Sequence, residues 1–260
     1  MVDMTFGYMP RKNFFENIVL KIFGYPNFIR RIQAPILMRM LDPASGDRIL
    51  DAGCGAGVFT FEAAKVCQSV GLDFYINKNL CNANKVLPYL SYVRADISKI
   101  PFKDESFDKI LLSSVLQMID PDDHVLTCCN RLLKRNGVLV LSVPVEYVYI
   151  KVLNTYKNNL LLKFKSAGKG YYPFSEIASL LRDHGFEIME FEYSPKRAGS
   201  FLYESWLYVC YRLGLPLFHA FYFILYPIMY LDKLDKKTNC GCEIIIKARK
   251  YGPPDGTFVS

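Results

Sequence analysis

The sequence predicts an α/β fold, a mainly parallel sheet with helices on both faces. Three observations predict it. From Asp47 onward, short apolar strand-like runs alternate with segments of helix length. The first of those strands runs directly into a glycine-rich turn, ILDAGCGAGVFT over residues 49–60. The chain has 260 residues, 51% of them hydrophobic, enough to bury one large core, and no Pro/Gly/Ser-rich linker divides it.

Residues 11–41 place Phe14, Phe15, Ile18, Val19 and Ile22, then Ile29, Ile32, Ile36, Leu37 and Met40, at helical spacing. Gly24-Tyr25-Pro26 breaks the series, so two short helices are expected. Strands follow at 48–52, 69–73, near 92–95, at 107–113 and at 137–143. Helices are expected between them over about 57–67, 73–86 and 122–134. Residues 145–172 hold Tyr147, Tyr149, Tyr156, Tyr171 and Tyr172 among lysines and asparagines and read as a cover inserted after the fifth strand. A helix over 175–183, a strand over 186–193 and a last strand over 242–249 complete a single domain spanning 1–260.

Residues 201–231 are the exception to this alternation. Leu213 to Leu231 carries no formally charged residue, although Pro216, His219 and Pro227 interrupt it. Three readings fit: a hydrophobic cover over a substrate pocket, peripheral contact with a membrane, or a bilayer span. The need to return to the sheet for the last strand opposes the span.

The formal charge of +7 favours anionic partners, but no zinc finger, recognition-helix dimer or aromatic RNA-binding strand pair is present, so no nucleic-acid partner is expected. Eight scattered cysteines in a chain opening without a basic-then-apolar export signal fit reduced thiols and a cytoplasmic location, with the membrane surface as the alternative site of action. Cys240-Gly241-Cys242 lacks the second pair needed for a tetrahedral metal site, and the chain has only three histidines. No metal is expected.

The glycine turn carries the chemistry. Glycines at 53, 55 and 57 allow a close backbone approach, and the exposed amides of a strand-to-helix turn suit a nucleotide-like or carboxylate-bearing ligand. A dinucleotide fingerprint needs a third glycine where Val58 stands, which disfavours a nicotinamide cofactor. Asp73, ending the second strand, can accept both hydroxyls of a ribose in either cofactor class. Its bland alternative is a helix cap.

The blocks Leu50-Asp51-Ala52-Gly53-Cys54-Gly55-Ala56-Gly57, Gly71-Leu72-Asp73, Ala95-Asp96-Ile97 before Ile100-Pro101-Phe102, Phe107-Asp108-Lys109-Ile110 and Leu132-Leu133-Lys134-Arg135-Asn136-Gly137 occur in order. Together they resemble the class I S-adenosylmethionine-dependent methyltransferases over about residues 42–143. The resemblance implies a Rossmann-like, seven-stranded, mainly parallel sheet with an antiparallel strand near the C-terminus. It implies S-adenosylmethionine as cofactor and S-adenosylhomocysteine as product. Asp51, Gly53 and Gly55 would line the methionine part, Asp73 the ribose, and Asp96 with Ile97 the adenine. Ser113 and Ser114, with Leu116 and Gln117, would close the pocket beside the transferred methyl. The family often has a histidine where Gln117 stands, and glutamine is no general base.

For the acceptor, the tyrosine-rich cover and the 213–231 run favour a small, hydrophobic or lipid-like molecule. If that acceptor is a hydroxyl, Glu146, Tyr147 and Tyr172 are the candidates to assist deprotonation. Two other functions stay open: a cofactor-binding scaffold without catalysis, and a nicotinamide-dependent oxidoreductase.

Overall fold

The computed structural model describes residues 28–75, 87–145, 171–202, 205, 232 and 240–251. These fall into two compact units. One comprises 28–35, 193–202, 205, 232 and 240–242, and the other comprises 36–75, 87–145, 171–192 and 243–251. Helix α1, Phe28–Leu41, contributes to both and contains Pro35. Of the expected elements, residues 11–27, most of the helix over 73–86, nearly all of the 145–172 cover and most of 201–231 lie outside the described residues.

The larger unit holds a seven-stranded sheet: β1 Arg48–Ala52, β2 Gln68–Asp73, β3 Leu90–Arg94, β4 Phe107–Ser113, β5 Leu133–Pro144, β6 Phe186–Tyr193 and β7 Glu243–Lys250. Its order is β3-β2-β1-β4-β5-β7-β6. The pairs β1–β2, β2–β3, β1–β4 and β4–β5 are parallel, while β7 runs antiparallel to β5. This is the expected Rossmann-like sheet with one antiparallel strand near its end.

Runs of β-branched and leucine residues make these strands because a central strand is covered on both faces. Ile110, Leu111 and Leu112 of β4 and Ile244, Ile245 and Ile246 of β7 are all buried. Each such side chain contributes roughly 1.5–3 kcal/mol on leaving water. Helices α2 (Val58–Ala64), α3 (Asp122–Leu132) and α4 (Phe174–Asp183) follow their apolar stripes. Thus α3 buries Val125, Leu126, Cys129 and Leu132, and α4 buries Ile177 and Leu181. Asp122 and Asp123 sit in the first turn of α3 and Arg131 in its last, each favourable to the helix dipole.

Two departures from the sequence reading matter. Helix α2 is shorter than expected, ending at Ala64. Strand β5 begins four residues early, at Leu133, which pairs with Phe107 across a register shift. The sheet order reverses between β1 and β4, since β2 flanks β1 on one side and β4 on the other. In open parallel sheets such a reversal leaves a crevice at the carboxyl ends of the strands. The glycine turn and the exit of β4 both lie there.

In the smaller unit, the Asp232 carboxylate accepts hydrogen bonds from the backbone N–H groups of Lys196 (2.6 Å) and Gly199 (2.8 Å), satisfying amides at the start of a helical turn over 197–202. Ser200 Oγ donates to the Pro195 carbonyl at 2.8 Å and accepts from the Cys242 N–H at 3.2 Å. None of the six described cysteines forms a disulfide with another of them. No helix among the described residues is long and apolar enough to cross a membrane, and 213–231 lies outside them.

Candidate active site

The turn after β1 is stitched to the end of β2. The N–H groups of Gly53 and Cys54 both donate to the Leu72 carbonyl, at 2.7 and 3.0 Å. One residue on, the Asp73 carboxylate takes the Gly55 N–H at 2.8 Å and the Tyr75 N–H at 2.9 Å. The first bond ties the acid to the turn, and the second fixes it locally to the chain that leaves β2.

Two glycines are required for different reasons. Gly53 has φ +80°, and a Cβ built on it would lie 2.4 Å from Val115 Cγ2, so the exit of β4 packs against bare backbone. Gly55 has φ +51° but nothing within 4 Å of a built Cβ. Its open side is where a ligand can approach the backbone.

The floor of the turn is braced from below. Tyr92 of β3 donates its phenol to the Gly57 carbonyl at 3.3 Å, and its ring lies where a Cβ on Gly71 would fall. Asp51, buried, accepts a 2.6 Å hydrogen bond from Thr60 Oγ1 and so ties β1 to α2. Burial, then the charges of Asp51 and Asp73, push the Cys54 thiol far up, so it stays protonated and inert.

Asp96 caps the short 3₁₀ turn Ile97–Lys99, accepting from the Ser98 N–H and hydroxyl, both at 2.8 Å. Those bonds hold its carboxyl below the usual range, so it carries charge at neutral pH. Ile97 beside it is half-buried.

The exit of β4 supplies the remaining candidates. Ser113 is buried at its end, and Gln117 lies in the 3₁₀ turn Leu116–Met118. Gln117 is 5% exposed, yet among the described residues its Oε1 has no hydrogen-bond partner. An unsatisfied buried amide is costly, so this oxygen calls for a donor from beyond the described residues.

Tyr172 is fully buried. Its phenol donates to Asp122 Oδ2 at 2.5 Å and approaches the Leu116 carbonyl at 3.4 Å. Burial and the Asp122 carboxylate raise its pKa well above that of an ordinary phenol. The group clamps the Leu116–Met118 turn to α3. The other two candidates for proton removal, Glu146 and Tyr147, lie outside the described residues.

Sequence reasoning missed Thr60, Tyr92, Val115, Ser142 and Glu243. Thr60 and Val115 stood inside segments it had singled out, and their neighbours carried the only available signal. Glu243 stands 129 positions from its partner Ser114, with no local pattern to connect them.

Residues 50–141 match the family described as a methyltransferase domain. The chain is similar to a ubiquinone/menaquinone biosynthesis C-methyltransferase of Vibrio parahaemolyticus, 32% identical over 130 residues that cover 45% of this chain and 50% of that protein. It therefore spans about half the length of the curated relatives it matches. Among solved structures, the putative methyltransferase in complex with the Trm112 activator of Haloferax volcanii superposes with a TM-score of 0.60 at 16% identity, covering 92% of this chain and 96% of that one. A [4+2]-cyclase, SpnF, superposes with a TM-score of 0.56 at 19% identity, covering 84% and 79%. At these identities the two structures establish the fold alone.

Proposed function

We propose, from the premise that this chain belongs to the class I S-adenosylmethionine-dependent methyltransferases, that it transfers a methyl group to a small, hydrophobic or lipid-like acceptor. The observation that carries the cofactor assignment is the Asp73 carboxylate bonded to the Gly55 amide beside an open backbone face. The residues present fit S-adenosylmethionine: a close-approach turn, an acid at its rim, and a buried amide oxygen at the β4 exit in want of a donor.

In this reading Asp51, Gly53 and Gly55 shape the seat for the methionine part, Asp73 holds the ribose hydroxyls, and Asp96 with Ile97 receives the adenine. Ser113 and Gln117 line the side where the methyl is exposed. The bound sulfonium supplies an already electrophilic methyl, so the chain's own task is alignment, exclusion of water and removal of a proton where the acceptor has one. Tyr172 serves the alignment, through Leu116 and Asp122, and keeps its proton.

The similarity to a C-methyltransferase of quinone biosynthesis, together with the uncharged run over 213–231, supports an apolar ring or lipid-like acceptor met in the cytoplasm or at a membrane surface. A non-catalytic cofactor-binding scaffold is the second reading, favoured by the amide of Gln117 where a titratable group would be useful. Calorimetry with S-adenosylhomocysteine and with NAD, followed by transfer of a labelled methyl group into a cell lipid extract, tests the proposal. Binding of S-adenosylhomocysteine and labelled lipid are expected. Binding of NAD alone would overturn the cofactor, and binding without transfer would leave the scaffold.

A further inference from the structure

We infer that Glu243, the first residue of β7, takes the acceptor's proton through the hydroxyl of Ser114. The inference rests on the methyl-transfer reading above. It concerns the acid that opens β7 and a serine just past the end of β4, which meet at the carboxyl edge of the parallel strands.

Ser142 of β5 pairs with Ser113 of β4, and two residues further Pro144 pairs with Glu243. Ser114, just past β4, donates its hydroxyl proton to Glu243 Oε2 at 2.9 Å. The hydroxyls of Ser114 and Ser142 lie 3.2 Å apart, and the Ser114 N–H donates to Ser142 Oγ at 3.0 Å. The carboxylate can only accept, so the Ser114 proton lies on the Glu243 bond and Ser142 Oγ is the donor to Ser114 Oγ. The chain of donors thus ends on the carboxylate.

Two features here carry a cost in folding. Glu243 is 8% exposed at the head of a strand whose next three residues are fully buried isoleucines. An apolar residue there would avoid the desolvation a carboxylate suffers. Ser114 has φ +53°, a left-handed conformation unusual for a residue with a side chain, held by two bonds from its N–H to Ser142. Strained backbone of this kind gathers at functional sites. Three residues on, the Oε1 of Gln117, without a partner among the described residues, is an independent sign that a ligand completes this exit.

The acceptor class that follows is hydroxylated, a phenol or enol. As the methyl adds, the acceptor O–H bond breaks and its proton bonds to Ser114 Oγ, while the Ser114 proton moves to Glu243 Oε2. The electron pair released on the acceptor oxygen, or on a ring carbon conjugated with it, forms the new bond to the methyl carbon. The carbon–sulfur bond breaks with its pair passing to sulfur, and the sulfonium charge disappears. If carbon is methylated, the ring C–H proton then returns to the oxygen. Glu243, left neutral, gives its proton to water as product departs.

The full-length wild type and the E243Q, S114A and double variants are compared with tritium-labelled S-adenosylmethionine and a chemically reduced total-lipid extract. Affinity for S-adenosylhomocysteine and Tm are measured alongside. Glutamine keeps the acceptor for the Ser114 hydroxyl but cannot take a proton. Turnover of E243Q should fall by about 10²-fold or more, as for loss of a general base, with cofactor affinity and KM for the donor changed less than about twofold. S114A should fall similarly, and the double variant no further than either single one, because the two act in series. E243Q with more than half of wild-type turnover overturns the inference. Should E243Q fold poorly, S114A, which leaves the carboxylate in place, decides: normal turnover overturns it. Wild type that binds no S-adenosylhomocysteine or labels no lipid overturns the methyl-transfer reading itself.

Discussion

Asp73 Oδ2 accepts a 2.8 Å hydrogen bond from the Gly55 N–H, so the acid ending β2 fastens the turn that follows β1. Its second oxygen does the same for Tyr75. Asp73→Ala removes two charge-assisted bonds as well as the proposed ribose contact. Affinity for S-adenosylhomocysteine should drop by about 10- to 100-fold, given roughly 1.5–3 kcal/mol for a bond to a charged group. Calorimetry checks this, and circular dichroism should show the fold retained. Unchanged affinity would remove Asp73 from the site.

The contact between Gly53 and Val115 predicts a rescue. Gly53→Ala puts a methyl 2.4 Å from Val115 Cγ2 at a left-handed φ, and should destabilise the protein by about 2–4 kcal/mol. Adding Val115→Ala relieves the clash while leaving the backbone strain. Denaturant unfolding of the two single variants and the double variant should therefore show partial recovery, and strict additivity would refute the contact.

Gln117→Leu is expected to separate stability from function. The amide oxygen, without a partner among the described residues, costs on the order of 1–3 kcal/mol until a donor reaches it. Leucine should raise Tm and at the same time weaken S-adenosylhomocysteine binding or turnover. A variant that is less stable and equally active would show that the amide is already satisfied.

Tyr172→Phe distinguishes a clamp from a base. Loss of the bonds to Asp122 and Leu116 should cost about 1–2 kcal/mol of stability. Turnover should persist at saturating substrate, with KM rising as the Leu116–Met118 turn loosens. A fall in kcat of about 10²-fold at unchanged KM would instead identify the phenol as the proton acceptor.

Acid should weaken the β1–β4–β5 region through Asp108. Its partial burial favours the neutral form, but the Lys134 ammonium at 2.7 and 2.9 Å and the Arg48 N–H at 2.9 Å outweigh burial and hold the carboxyl below the usual range. A depressed folded pKa adds stability above the unfolded value of about 3.9, lost as pH falls through the folded one. Between about pH 5 and pH 3 the Tm of wild type should fall more steeply than that of Asp108→Asn. Parallel curves would show that the pair contributes nothing.

Strands β4 and β6 begin and end where the apolar pattern does, because turn residues bound each run on both sides. Strand β5 could not be read this way. Its first residues, Leu133-Lys134-Arg135-Asn136, look like a helix end and a loop. Only Leu133 of these pairs with β4, opposite Phe107; the next pair joins Lys109 to Val138, and Asn136, which tolerates φ +62°, lies in the irregularity between them. At the site, Gly53, Gly55 and Asp73 were legible because a turn and the next strand end lie close in sequence. The meeting of Ser114, Ser142 and Glu243 was not, since only the completed sheet brings β4, β5 and β7 together.

The place of β7 between β5 and β6 also governs how the chain can leave the ribosome. Strands β1 to β5 can assemble as they emerge, each beside a neighbour already made. Strand β6 cannot join them, because the strand that links it to β5 is translated some fifty residues later. Until then the nascent chain presents the open edge of β5, a row of unpaired backbone groups open to stray pairing. A message truncated before Glu243 would yield a polypeptide with its glycine turn encoded in full and its sheet unfinished.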